Sequence, residues 1–216
     1  MLKKETYEIN VTYMKMVYLF VLGSLGGFLL EGVFSYFKRG AWESHVVSVW
    51  GPFCIIYGIG FCLCFALYPL VKNKGKLYQF LVYGIGGCLV ELFSGALLDV
   101  KFHMRAWNYT KHPFNFRGYV SLDMIVVWGL LGIIFSLFIY RLDYIFNKLD
   151  GKYWALLCKG FIIFMTINLT ITTFAIARWS ERHFDLPPSN IIEEKMDEIY
   201  PDDYMHQRFC EWKFIS

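Results

Sequence analysis

Charge is scarce in this sequence: Asp, Glu, Lys and Arg make up 18% of its 216 residues, against about a quarter of a typical soluble chain. Its six cysteines form no Cys-x-x-Cys pair with a matching second pair, so neither a zinc site nor a disulfide framework is supported. Cys54, Cys62, Cys64, Cys88 and Cys158 fall in or near apolar stretches and read as packing residues, and Cys210 lies in the polar tail. No glycine-rich Walker A stretch occurs, which excludes an ATP-hydrolysing subunit. There is no basic arm; the net charge is +3, and the basic residues sit mainly at the ends of apolar blocks, as at Lys38 and Arg39 or Lys72, Lys74 and Lys76. Such placement is interfacial anchoring, and no nucleic-acid partner is expected. Nor is a cofactor or a metal. The first apolar block is too long for a signal-peptide core and lacks a small-residue cleavage site, so it is expected to remain as a transmembrane helix.

What is present is hydrophobicity, at 56% of residues with 20% aromatic, gathered into long blocks. A membrane span needs about 20 mostly apolar residues. Five blocks meet that length, from Met14 to Phe37, Gly51 to Val71, Leu77 to Leu98, Tyr119 to Tyr140 and Trp154 to Ala177. The fold class expected is all-α: a polytopic transmembrane helix bundle of about five spans, with a polar inter-helix loop cap and a short C-terminal surface helix. Residues 1–13 read as an N-terminal surface segment, 14–177 as the membrane domain and 178–216 as a polar, interfacial tail. In the tail, Asn190 and Glu193 have the spacing of a capping box before a short apolar face of Ile191, Ile192, Met196 and Ile199. That helix is expected on the membrane surface or against the loops. Within the fifth block, Asn168 and the threonines around it read as packing contacts across helices.

Ionisable groups inside a span cost several kcal/mol unless partnered, and mark functional sites by default. Glu31 lies within the first block and Glu91 within the third, each behind glycines: Gly23, Gly26 and Gly27 precede Glu31 as Gly84, Gly86 and Gly87 precede Glu91. This layout suggests two similarly packed helices. The stretch from Glu91 to Trp128 then carries Asp99, His103, Arg105, Trp107, Asn108, Tyr109, His112, Asn115, Arg117 and Asp123 between two apolar runs. If the helices alternate direction, the end of the first, the start of the second, the end of the third and the start of the fourth share one membrane face. That brings Glu31 and Glu91 together beneath Arg105 and Arg117, and leaves mainly lysines and ordinary surface residues on the other side.

The ordered set of Glu31, GPFCIIYGIG from Gly51 to Gly60, Glu91, RAWNYT from Arg105 to Thr110, PFNFRGYVSL from Pro113 to Leu122 and WG at Trp128 and Gly129 resembles the small bacterial membrane-protein family called putative ABC-transporter permeases, type IV. The resemblance spans roughly residues 23–140 and implies a permease in the cell membrane, working as a homodimer or beside a separate membrane or ATPase subunit. The sequence departs from the family pattern at Asn108, where an Asp is usual, and at Tyr119, where an Arg is usual, with Arg117 two positions earlier.

The function expected is a transport component, in which Glu31, Glu91, Asp99, Arg105, Trp107, Asn108, Tyr109, Asn115, Arg117 and Asp123 surround a polar path for a small solute or ion. A buried carboxylate on such a path can carry protons or bind cations as access alternates. An intramembrane enzyme acting on a lipid-linked substrate would instead use Glu91 or Asp99 as base, His103 or His112 as acid or base, and the arginines to hold phosphate or carboxylate. In a noncatalytic assembly protein the same cluster would be a structural lock, with every charge paired.

Overall fold

A computed structural model describes residues 8–42 and 45–215. Residues 1–7 of the expected N-terminal surface segment, and residues 43–44 of the connection after the first block, lie outside the described residues. The apolar blocks are helical over most of their length: α1 Tyr13–Arg39, α2 Ile55–Val71, α3 Lys76–Phe102, α4 Leu122–Lys148 and α5 Lys152–His183. Two short helices, α6 Ile191–Ile199 and α7 Asp202–Arg208, follow in the tail. Strands β1 Met104–Arg105 and β2 Lys213–Phe214 form a small antiparallel pair that ties the tail to the loop after α3.

The helix ends follow from local chemistry. Thr12 caps α1, its hydroxyl accepting from Lys15 N–H at 3.4 Å, and Gly40 ends it in the left-handed conformation with Lys38 and Arg39 in the last turn. Asn190 caps α6 through bonds from the N–H groups of Ile192 and Glu193, while the Glu193 carboxylate reaches back to the Ser189 N–H at 2.6 Å.

Packing is built on two antiparallel hairpins, α1 with α2 and α3 with α4, which lie side by side with α5 against them. Each hairpin closes on a glycine. A Cβ at Gly27 would overlap the Tyr57 ring of α2, and a Cβ at Gly87 would overlap the Trp128 indole of α4. Small residues are what let helix backbones approach this closely in lipid. Glu31 and Glu91 each stand four positions, about one turn, beyond their glycine.

Among the described residues, four helices, α1, α3, α4 and α5, are long and apolar enough to cross a membrane, and α2 is shorter at 17 residues. The second block was expected to be helical from Gly51. Instead Gly51 to Cys54 are extended or bent, and α2 begins opposite the middle of α1, where the Cys54 N–H donates to Ser24 O at 3.0 Å. Residues 45–54 therefore run as irregular backbone within the bundle. Such backbone survives at membrane depth only where protein groups satisfy it. Asn168, wholly buried in α5, accepts from Trp50 N–H at 3.2 Å and donates to Trp50 O at 2.9 Å; Thr172 accepts from Val49 N–H at 2.9 Å. These polar residues of the fifth block hold a loop rather than another helix.

Helix α5 runs past Ala177 to His183, so Arg178 is still helical and is 2% exposed. It bonds Asp197 of α6 at 2.7 Å and Glu181 at 2.5 Å. The tail folds over this end of the bundle, where Met205, Phe209 and Trp212 pack with Trp179, Val49 and Met104. Tyr204 donates to Val49 O at 2.8 Å and Arg208 to Ser48 O at 2.9 Å. At the opposite end, Lys15 and Asp143 form a buried ion pair at 2.6 Å.

Candidate functional site

Beneath the tail, α1, α2, α3, α4 and the loop after α3 enclose a cavity of about 290 Å³. Both intramembrane glutamates line it. Glu91 is about 16 Å along α3 from Phe102, taking about 1.5 Å rise per residue. It is 6% exposed; its Oε1 accepts from the Tyr109 hydroxyl at 3.1 Å, and its buried Oε2 has no hydrogen-bond partner. Glu31 accepts from the Tyr57 hydroxyl at 2.5 Å. The Tyr57 ring lies against Trp128, with centroids 5.6 Å apart, and Trp107 completes the wall from the loop. Burial, and next the negative charge of Glu91, push the Tyr109 phenol well above its ordinary value, so it remains a donor at any physiological pH.

A wider recess of about 900 Å³ adjoins this cavity, sharing Lys38, Arg39, Trp107, Tyr109 and Glu211 among its walls. Arg105, Asn108, His112 and Lys213 line its outer part. Glu211 from the tail pairs with Arg39 at 2.9 Å and with His45 at 2.6 Å. Lys38, Arg39 and Glu211 thus line both spaces, His45 lines the inner cavity with Glu31 and Glu91, and Arg105, His112 and Lys213 line the recess alone.

The other residues expected at the site divide clearly. Arg105 pairs with Asp99 at 3.1 Å, not with the glutamates, and its guanidinium stacks over the Tyr119 ring at 5.4 Å. Tyr119 also donates to Asp99 at 2.7 Å, a bond that raises its phenol above the ordinary value. Tyr119 thus completes an Asp99–Arg105 cluster beside the cavity. Asp123 faces His112 at 2.7 Å and accepts from Ser121. Asn108 and Asn115 shape the loop: Asn108 accepts from Thr110 N–H at 2.9 Å, and Asn115 donates to His112 O at 2.8 Å and accepts from Gly118 N–H at 3.1 Å. Arg117 is exposed with φ of 52°, and His103 caps α3 with its ring against Phe184. So Glu31, Glu91, Trp107 and Tyr109 meet at the inner cavity, Arg105, Asn108 and His112 line only the outer recess, and Asp99, His103, Asn115, Arg117 and Asp123 line neither.

Two contributors were not among the candidates. Tyr57 stood out only as a polar tip in an apolar run, opposite a glycine of α1. Glu211 lies at the far end of the chain, and nothing local in its sequence signals that it returns to Arg39 and His45.

No solved structure matches the chain. Among protein families, residues 18–173 match the one described as Putative ABC-transporter type IV. That match runs from the first turns of α1 to deep within α5, and so takes in both glutamates, the irregular 45–54 segment and the loop that walls the cavity. With four helices able to span a bilayer and this match over most of its length, the chain is a multi-pass membrane protein and belongs to the ABC-transporter type IV family.

Proposed function

We propose that the protein is the membrane-embedded component of a transporter of the plasma membrane, and that the cavity bounded by Glu31 and Glu91 is where its solute or ion binds in passage. The observation that carries this reading is a carboxylate placed deep in a helical bundle, 6% exposed, lining a cavity and leaving one oxygen without a partner. A charge kept in that setting costs stability, and its retention is explained by something that must arrive and leave. A structural lock would pair both glutamates with basic groups. Here neutral donors face them instead, the Tyr57 hydroxyl at Glu31 and the Tyr109 hydroxyl and Trp128 indole at Glu91, and Arg105 is engaged with Asp99. For a hydrolytic or transfer site the histidines would have to face the glutamates, whereas His112 faces Asp123, His103 faces Phe184, and His45, which does line the cavity, pairs with Glu211 at 2.6 Å. Five helices are few for a whole transporter, so a second copy or a separate ATPase subunit completes the machine.

The test is flux. In proteoliposomes carrying the purified chain, cation or proton movement down an imposed gradient is expected above protein-free vesicles, and Glu91→Gln is expected to return it to that background. Equal flux from wild type and variant would count against the proposal.

A further inference from the structure

Resting on the transport reading, the inner cavity also bears on the kind of solute. Its floor is two carboxylates and its walls are aromatic: Tyr57, Trp107, Tyr109 and Trp128. Carboxylates alone suit a proton or a metal ion. Aromatic faces add something specific, because the negative face of a ring attracts a cation that carries little water, such as a substituted ammonium group. Bare inorganic cations prefer a shell of oxygen ligands. Here the oxygens are few and the rings are many. The free Oε2 of Glu91, buried and at the cavity wall, is the acceptor that an ammonium N–H or a quaternary nitrogen's positive charge would meet. The volume, about 290 Å³, is enough for a small organic ion, and the wider recess beside it gives an approach.

The basic groups that share the cavity supply only part of the counter-charge. Arg39 and His45 are held by Glu211 from the tail, and Lys38 lies over the Phe34 ring at 5.4 Å, near the end of α1. Lys38 and Arg39 line the same cavity as Glu31, Glu91 and Glu211, so a bound cation would complete a charge balance that they meet only in part.

We infer that the cavity between α1, α2, α3 and α4 is a binding site for a small organic ammonium compound, seated between the carboxylates of Glu31 and Glu91 and the rings of Tyr57 and Trp128.

The full-length protein in detergent, titrated with choline and followed by tryptophan fluorescence, tests this directly, since Trp107 and Trp128 line the site. Saturable quenching is expected for wild type, and Glu91→Gln should weaken it by about tenfold or more, with Trp128→Leu weakening it by a smaller factor. Sodium chloride at matched ionic strength should not reproduce the quenching. Size-exclusion profiles and circular dichroism identify any variant that fails to fold. If such a variant is lost, Glu31→Gln takes its place as the carboxylate test. Absence of saturable choline binding to folded wild type, binding unchanged by loss of a carboxylate, or sodium binding equally well would each overturn the inference. Flux that depends on Glu91 in the proteoliposome assay would then still stand, so this site assignment can fail without the transport reading failing.

Discussion

The molecule buries acidic side chains at two levels, and it treats them in opposite ways. At the end formed by the start of α1 and the end of α4, Asp143 is wholly buried, and Lys15 meets it at 2.6 Å. The remaining polar atoms are used as well: the Lys15 ammonium also donates to Asn10 O at 2.8 Å, and Asn147 donates to Asp143 at 3.1 Å. Around the pair, Tyr18, Phe146 and Cys158 are packed tightly and Tyr18 donates to Trp154 O. At the other level, Glu31 and Glu91 have tyrosine hydroxyls for partners, and a cavity beside them. A buried charge that is paired, bonded and packed fastens helices; one that is left partly bare beside open volume is poised for a visitor. The contrast marks Asp143 as a structural acid and is what singles out Glu91 for the proposed site.

Removing one partner at a time gives the largest difference between the two levels. Lys15→Met or Asp143→Leu alone leaves a buried charge uncompensated and should destabilise the bundle by about 3–5 kcal/mol, whereas the double substitution should be near neutral or stabilising. Glu91→Gln should behave differently: the amide oxygen can still accept from Tyr109, no cation loses its partner, and stability should change by less than about 1 kcal/mol or rise. Denaturant unfolding in mixed micelles, with the Lys15 and Asp143 variants run as a double-mutant cycle, measures both arms. A Glu91→Gln loss as large as that of Lys15→Met would erase the distinction.

How much of this was legible beforehand depends on sequence distance. The spans follow from hydropathy, and the meeting of Glu31 with Glu91 follows from alternating helices and the matching glycine spacing. Lys15 and Asp143 escaped because each stands at the edge of a block, where charged residues read as interfacial: Lys15 is the second residue of the first block, and Arg141 onward reads as connection, yet α4 continues to Lys148 and turns Asp143 inward. The residues before Gly51 read as a connection and are one, but its extension to Cys54 and its depth within the bundle escaped, since Gly51 to Cys54 run on without a break into an apolar block. What makes it a loop is satisfaction of its backbone by Asn168 and Thr172, more than a hundred positions away, and no local pattern carries that information. Arginines placed near the glutamates by topology alone were in the right neighbourhood, but Asp99, six residues from Arg105, is the nearer partner and takes it.

A smaller effect sharpens the comparison from the side of helix approach. Gly87 sits against Trp128 directly below Glu91, while Gly26, one position from Gly27, has nothing within 4 Å of where its Cβ would stand. Gly87→Ala should therefore force α3 and α4 apart at the level of the cavity and cost about 1–3 kcal/mol. Gly26→Ala should be neutral or stabilising by up to about 1 kcal/mol, through helix propensity alone. Thermal unfolding of the two variants separates these outcomes, and choline titration of Gly87→Ala reports whether the cavity is disturbed with the helices.

The smallest effect concerns the tail that closes the functional level, and it depends on pH. Burial pushes the Asp197 carboxyl up, but hydrogen bonds from Arg178 and Arg182 outweigh it and hold the group below its ordinary value of 3.8. A carboxyl whose native value is depressed binds its proton more readily in the undocked tail, so its contribution is complete above pH 3.8 and is lost as pH falls through the lower, native value. Glu193, held below its ordinary 4.5 first by the Ser189 N–H and then by the Ser189 hydroxyl, titrates in the same sense at the α6 N-terminus. The tail should stay docked from neutral pH down to about 4 and then release from α5, while Lys15–Asp143 keeps the far end of the helices together. Hydrogen exchange of the α6 amides against pH measures this. Asp197→Asn should show faster exchange already at neutral pH, because the bidentate contact from Arg178 then loses its charge and only the longer pairing with Glu193 at 3.6 Å still links that guanidinium to an acid of α6.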